Sequence, residues 1–161
     1  SRRIISQNFE ANNVNARLLP YAITDKVGDG ELRITGDEKT PRAAINNKHG
    51  SLNDNHGFEA SLDVQTMTGD HLIKKGFKPP DTIKIDVEGA EGLVLQGLKQ
   101  SIEKQLINRI FLEIHKPSEF GQSVKDYGYS VDEVKNFACV NGYRMEILSE
   151  TGGNMMIKYT V

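Results

Sequence analysis

The chain has 161 residues, 37% of them hydrophobic, a formal net charge of -2 and a single cysteine. That length suits one globular domain with a core, and the near-neutral balance excludes a strongly basic nucleic-acid binder. Cys139 alone excludes an internal disulfide and a thiolate zinc site, while the absence of a long apolar run or a signal-peptide pattern leads to the expectation of a soluble, cytoplasmic protein without a membrane partner.

In chain order, Arg2 to Asn13 has helical composition, with Ile4, Ile5 and Phe9 close to helical spacing and Asn12-Asn13 at its end. Arg17 to Ile23 reads as a strand that Pro20 keeps away from a central position. Asp25 to Gly30 is a predicted turn and Glu31 to Thr35 a return strand, together a hairpin. Gly36 to Gly57 is polar, shows no periodic element and reads as a mobile cover over a substrate. It holds His49 and His56, and since the nearby Asn53 and Asp54 are ordinary loop residues the group is not read as a metal site. Phe58 to Met67 resumes a strand pattern, and Thr68-Gly69-Asp70 caps a short helix, His71 to Lys75, closed by Gly76.

Pro79 and Pro80 introduce the strand Thr82 to Val87, in which Ile83, Ile85 and Val87 alternate with Lys84, Asp86 and Glu88. One face is apolar and the other charged, whereas a fully buried parallel strand reads as an unbroken apolar run. After Gly89, the residues Val94, Leu95, Leu98, Ile102 and Leu106 form one apolar stripe at helical steps. A strand follows at Arg109 to His115, then a polar connection carrying Pro117, Gly121 and Gly128. Val131 to Val140 is a predicted helix ended by Asn141-Gly142, with Cys139 buried and inert in it. Arg144 to Leu148 and Asn154 to Val161 read as two antiparallel strands joined at Gly152-Gly153, with Met155 and Met156 as core. The alternation of strands and helices predicts an α/β fold with a mostly parallel sheet and a C-terminal antiparallel strand pair.

The chemistry gathers at two strand ends. Asp86 with Glu88, and Glu113 with His115, are i, i+2 pairs, so the members of each pair share a strand face. Brought together, they can bind a hard divalent cation or deprotonate a substrate hydroxyl. Clustered carboxylates also raise one another's pKa, which helps a base to work near neutral pH. A plainer reading stands beside this one: Asp86 and Glu88 cap the next helix and complement its dipole, and Glu113 and His115 are ordinary strand-end polar residues. Lys84 either pairs with Asp86, Glu113 or a substrate group, or lies on a solvated face. Asp25 ends the first strand as a turn residue or a ligand contact, and Gly89 suits a sharp strand-to-helix turn.

The stretch Ile83-Lys84-Ile85-Asp86-Val87-Glu88-Gly89-Ala90-Glu91, with Val94-Leu95 and Gly97, resembles the FkbM family of methyltransferases. So do Phe111 to His115, Ala22-Ile23-Thr24-Asp25, Thr68 to Leu72, and Gly142-Tyr143, all in the family's order. The resemblance implies a Rossmann-like class I methyltransferase fold, S-adenosylmethionine as cofactor, and O-methylation of a hydroxyl on a sugar or secondary metabolite. With it, Glu88 and His115 are the leading general-base candidates, Asp86, Glu113 and Lys84 complete the candidate catalytic set, and Asp25, Asp86 and Gly89 are the expected cofactor contacts, with no metal site assigned. The family's opening strand and glycine-rich Asp-x-Gly-Ala-Asn-type turn have no counterpart here. Residues 1–161 are therefore expected to form one partial domain, the C-terminal part of a larger enzyme, with a gap or a new pairing between the strands at Leu18 and Ile83. Exposed sheet edges would then allow an oligomer. A non-catalytic binding module of the same fold and a metal-dependent hydrolase are the competing functions.

Overall fold

Eight strands and five α-helices make up the regular structure of the computed structural model, which describes residues 2–35, 42–46, 60–118 and 122–161. In chain order they are α1 (Arg2–Ala11), β1 (Tyr21–Ile23), β2 (Gly28–Thr35), β3 (Arg42–Asn46), β4 (Ala60–Met67), α2 (Gly69–Lys74) and β5 (Thr82–Ile85). Then come α3 (Glu91–Gly97), α4 (Lys99–Glu103), β6 (Arg109–His115), α5 (Val131–Asn136), β7 (Arg144–Glu150) and β8 (Asn154–Thr160). The strands form two four-stranded sheets, ordered β1-β4-β2-β3 and β5-β6-β8-β7.

The expectation of a mostly parallel sheet fails. Among the described residues only β1 with β4 and β5 with β6 run parallel; the other four pairings are antiparallel. A parallel pair needs a long crossover. Helices α3 and α4 supply one between β5 and β6, but no described helix lies between β2 and β4 or between β7 and β8. The predicted hairpin of the first strand with Glu31–Thr35 also fails, because β4 sits between β1 and β2. Strand β1 is shorter than expected and lies at a sheet edge, in keeping with Pro20. The stretch 36–57 contains the strand β3, so its reading as wholly irregular is wrong there; His49, His56 and the predicted cover lie outside the described residues.

Local signals account for most of the rest. The Thr68 hydroxyl accepts the His71 N–H at 3.0 Å and caps α2. Asp70 then accepts the Gln100 and Ser101 N–H groups at 2.8 and 3.0 Å, fastening α2 to α4. The apolar stripe after Gly89 breaks at Leu98 into α3 and α4, and Leu106 lies beyond both and is 42% exposed. Gln105, at φ +50°, has already turned the chain out of the helix. The predicted last helix stops at Asn136 and continues as a 3-10 turn, Cys139–Asn141.

The core belongs to the second sheet: Leu95, Ile102, Ile107, Ile110, Leu112, Ile114, Ile157 and Tyr159 are fully buried. The buried hydroxyls are answered, Tyr143 donating to the Ile107 carbonyl at 2.7 Å and Tyr159 to the Lys135 carbonyl at 2.8 Å. Gly97 joins the halves, since a Cβ there would overlap the Thr24 carbonyl at the end of β1. Strands β1 and β5 both end their sheets and do not pair. Between them runs an apolar groove of about 330 Å³, lined by Ile23, Phe77, Ile83, Ile85, Val94 and Leu98. No helix among the described residues is long and apolar enough to cross a membrane.

Candidate active site

Strand β5 stops at Ile85 and the chain turns through Asp86–Ala90 into α3. The turn is tight: Glu88 has φ +52° and Gly89 φ +100°. A Cβ on Gly89 would come within 2.9 Å of the Ser123 backbone, so both conformation and space demand glycine there. Glu88 has no such licence, and its left-handed backbone costs on the order of 1–3 kcal/mol. That cost is borne where the side chain is 43% exposed at the mouth of a cleft.

Glu91 holds the turn in place. It is fully buried at the start of α3, and its Oε1 accepts the Gly89 N–H at 2.9 Å and the Val87 N–H at 3.4 Å. The same oxygen lies 2.9 Å from His115 Nδ1, across on β6. Glu91 Oε2 has no hydrogen-bond partner among the described residues. With Nδ1 committed to Glu91, the His115 Nε2 is the nitrogen left to the cleft, 3.5 Å from Glu88 Oε2. Burial works to lower the His115 pKa, but the Glu91 hydrogen bond and the charges of Glu91, Glu88 and Glu113 outweigh it and raise it above 6.5.

Two further carboxylates complete the acidic wall. Asp86 Oδ2 accepts from Lys84 Nζ at 2.7 Å, and this bond, with the Asp86 charge, raises the pKa of the exposed lysine. Glu113 Oε1 accepts from Asn154 Nδ2 at 2.9 Å; Asn154 stands opposite His115 in the β6–β8 register. Opposite them, Tyr127 donates to Gln122 Oε1 at 2.7 Å. Burial first, then the charges of Glu91 and Asp126, push the Tyr127 hydroxyl upward, so it stays a donor.

Asp86, Glu88, Glu113 and His115, with Lys116, Gln122 and Asn154, line a cleft of about 220 Å³ at the carboxyl ends of β5 and β6. All four residues expected to converge do so. Lys84 reaches the cleft only through its ion pair with Asp86. Asp25 is not among the lining residues; its charge acts on the partly buried Tyr129 hydroxyl, which burial, and then Asp25, push upward. Gly89 is closed over by Ser123. The sequence reading missed Glu91, Gln122 and Asn154 as site residues. Glu91 looks like a carboxylate complementing a helix dipole until the topology places His115 beside it. Asn154 was within reach, since an antiparallel β8 sets it beside the end of β6.

The model of the methyltransferase FkbM domain matches residues 3–145. The chain belongs to this family. The hexuronic acid methyltransferase AglP of Haloferax volcanii is 36% identical to this FkbM domain over 78 residues, 48% of this chain and 30% of that protein. The match thus spans under a third of that relative's length. No solved structure matches the FkbM domain described above.

Proposed function

We propose that this FkbM domain forms the acceptor side of an S-adenosylmethionine-dependent O-methyl transfer to a sugar hydroxyl. The observation that carries the reading is the convergence of Asp86, Glu88, Glu113 and His115 on one polar cleft, in a chain of a methyltransferase family. The Haloferax relative, named a hexuronic acid methyltransferase, supports a sugar as acceptor. Polar side chains that can give and take hydrogen bonds suit a polyhydroxylated ligand.

The donor needs polar partners for its ribose and amino-acid ends, and the apolar groove between β1 and β5 does not supply them. Asp86 is paired with Lys84, Gly89 is covered by Ser123, and the groove between β1 and β5 is lined mainly by apolar side chains. To the polar cleft we assign the binding and orientation of the acceptor and the acceptance of its proton. The Glu88–His115 pair takes that proton, and Glu91 holds the imidazole so that Nε2 faces the cleft.

The test is transfer of labelled methyl to hexuronic acids and neutral sugars. Positioned acid–base groups contribute about 10²–10⁴-fold, so Glu88→Gln combined with His115→Ala should lower kcat by at least about 10²-fold. Full activity in that double variant, or no transfer to any sugar, would contradict the proposal.

A further inference from the structure

The cleft is more acidic than a proton acceptor requires. Asp86, Glu88 and Glu113 line it with the buried Glu91 behind, while its one lining lysine, Lys116, is engaged with Glu150 at 3.0 Å and the neighbouring Lys84 with Asp86 at 2.7 Å. Asp86, Glu113 and His115 each offer a donor atom, and these atoms lie within 4.8 Å of one another. Ligands around one ion, at bonds of roughly 2.0–2.3 Å, span nearly the same distance.

Each of the three is steadied from behind by a group outside the trio. Glu91 holds His115 Nδ1, Asn154 holds Glu113 Oε1, and Lys84 holds Asp86 Oδ2, leaving an imidazole nitrogen and a second oxygen on each carboxylate. Metal ligands are oriented by partners of this kind, above all a carboxylate on the far nitrogen of a ligating histidine. A separate observation points to a bound ligand. Gln122 is only 9% exposed and lines the same cleft, yet its Nε2 has no acceptor among the described residues. Tyr127 fixes its Oε1, so Nε2 is a buried donor awaiting an oxygen.

We propose that the cleft binds a divalent cation through Asp86, Glu113 and His115 Nε2, and that the ion holds the acceptor hydroxyl oxygen while Gln122 Nε2 donates to an oxygen beside it. The inference rests on the reading of this cleft as the acceptor site. Two carboxylates and one imidazole suit a hard-to-borderline ion such as Mn²⁺ and not one that prefers thiolates. Bound to the ion, the hydroxyl gives up its proton more readily: the O–H bond breaks, its electron pair stays on the coordinated oxygen, and the proton passes to Glu88. Glu88 is not one of the three donors and stands 3.5 Å from His115. It then serves as the base alone.

The experiment is titration of the protein with Mn²⁺, followed by loss of the free-ion signal in electron paramagnetic resonance. One ion per chain is expected. Affinity should fall at least about tenfold in Asp86→Asn and in Glu113→Gln, comparable to the loss from disturbing a ligand's partner, and stay within a few-fold of wild type in Glu88→Gln. Asp86 is exposed, so its variant keeps the fold and circular dichroism verifies this. No saturable binding, or binding indifferent to both substitutions, overturns the inference. Methyl transfer that persists undiminished under chelation would also overturn it and leave the acceptor-site reading standing. Site-specific Mn²⁺ binding without any methyl transfer would uphold the ion site and overturn that reading.

Discussion

The sheet of β5–β8 and the sheet of β1–β4 have the same number of strands but bury very different amounts. In the former, strand β6 alternates so that Ile110, Leu112 and Ile114 are fully covered, and Ile157 and Tyr159 of β8 face the same core. In the latter, β4 buries only Thr66, Leu62 is 55% exposed, and the preceding helix leaves Ile4 57% exposed, although Ile45 of β3 is buried. Every residue of the acidic cleft comes from the densely packed half. A catalytic constellation needs its side chains held to fractions of an ångström, and a packed strand pair with a buried Glu91 across it supplies that precision. The looser half adds one buried contact to this positioning, Ile45 of β3 clustering with Ala90 and Leu93 beside the turn.

This contrast can be broken in the test tube, beginning with the largest effect. Leu112→Ala, in the packed half, should cost about 2–5 kcal/mol in urea denaturation. Leu62→Ala, in the looser half, should stay within about 0.5 kcal/mol, and equal losses would erase the distinction. At the junction, Gly97→Ala forces a methyl against the Thr24 carbonyl and should cost roughly 1–3 kcal/mol, read as faster amide exchange at Thr24. A wild-type exchange rate in that variant would mean that the halves are not coupled there. Tyr143→Phe removes the donor to the buried Ile107 carbonyl and should cost about 0.5–1.5 kcal/mol in the same denaturation experiment.

The smallest effect concerns pH. Hydrogen bonds from Arg109, and then Asn108, hold the exposed Asp81 carboxyl below 3.8 at the entry to β5 and β6. A depressed folded-state pKa adds stability above the unfolded value, lost as pH falls through the folded one. Asp81→Asn should therefore lower stability slightly between pH 6 and 8, where the ionised carboxylate contributes, and converge on wild type as pH falls below about 4, which flattens the acid limb. No deficit at neutral pH, or one that persists unchanged into the acid range, would point to another role for Asp81.

The same contrast explains what could be read from the amino-acid order. The packed half announced itself: β6 was predicted at its observed bounds, and the β7–β8 pair emerged as expected, because burial imposes period and turn residues mark the ends. The sheet of β1–β4 was misread because its strands are half-exposed and weakly periodic, and its order, with β4 between β1 and β2, is a long-range fact. The cleft followed a similar rule. Glu113 with His115, which share a face of β6, were legible from two-residue spacing. Asp86 and Glu88 lie beyond the end of β5 and reach the cleft from the turn, not from the expected strand face. Glu91, the carboxylate that sets the imidazole, was not legible, since its meeting with His115 spans 24 residues and depends on the β5–β6 pairing.

The central claim is that the acceptor enters the cleft at the ends of β5 and β6. Titrating isotope-labelled protein with glucuronic acid and following amide shifts by nuclear magnetic resonance tests it most directly. The account predicts saturable shifts concentrated on Asp86–Glu91, Glu113–Lys116, Gln122 and Asn154, weakened in Asp86→Asn. Shifts centred on β1–β4, or no saturable change with uronic or neutral sugars, would contradict it.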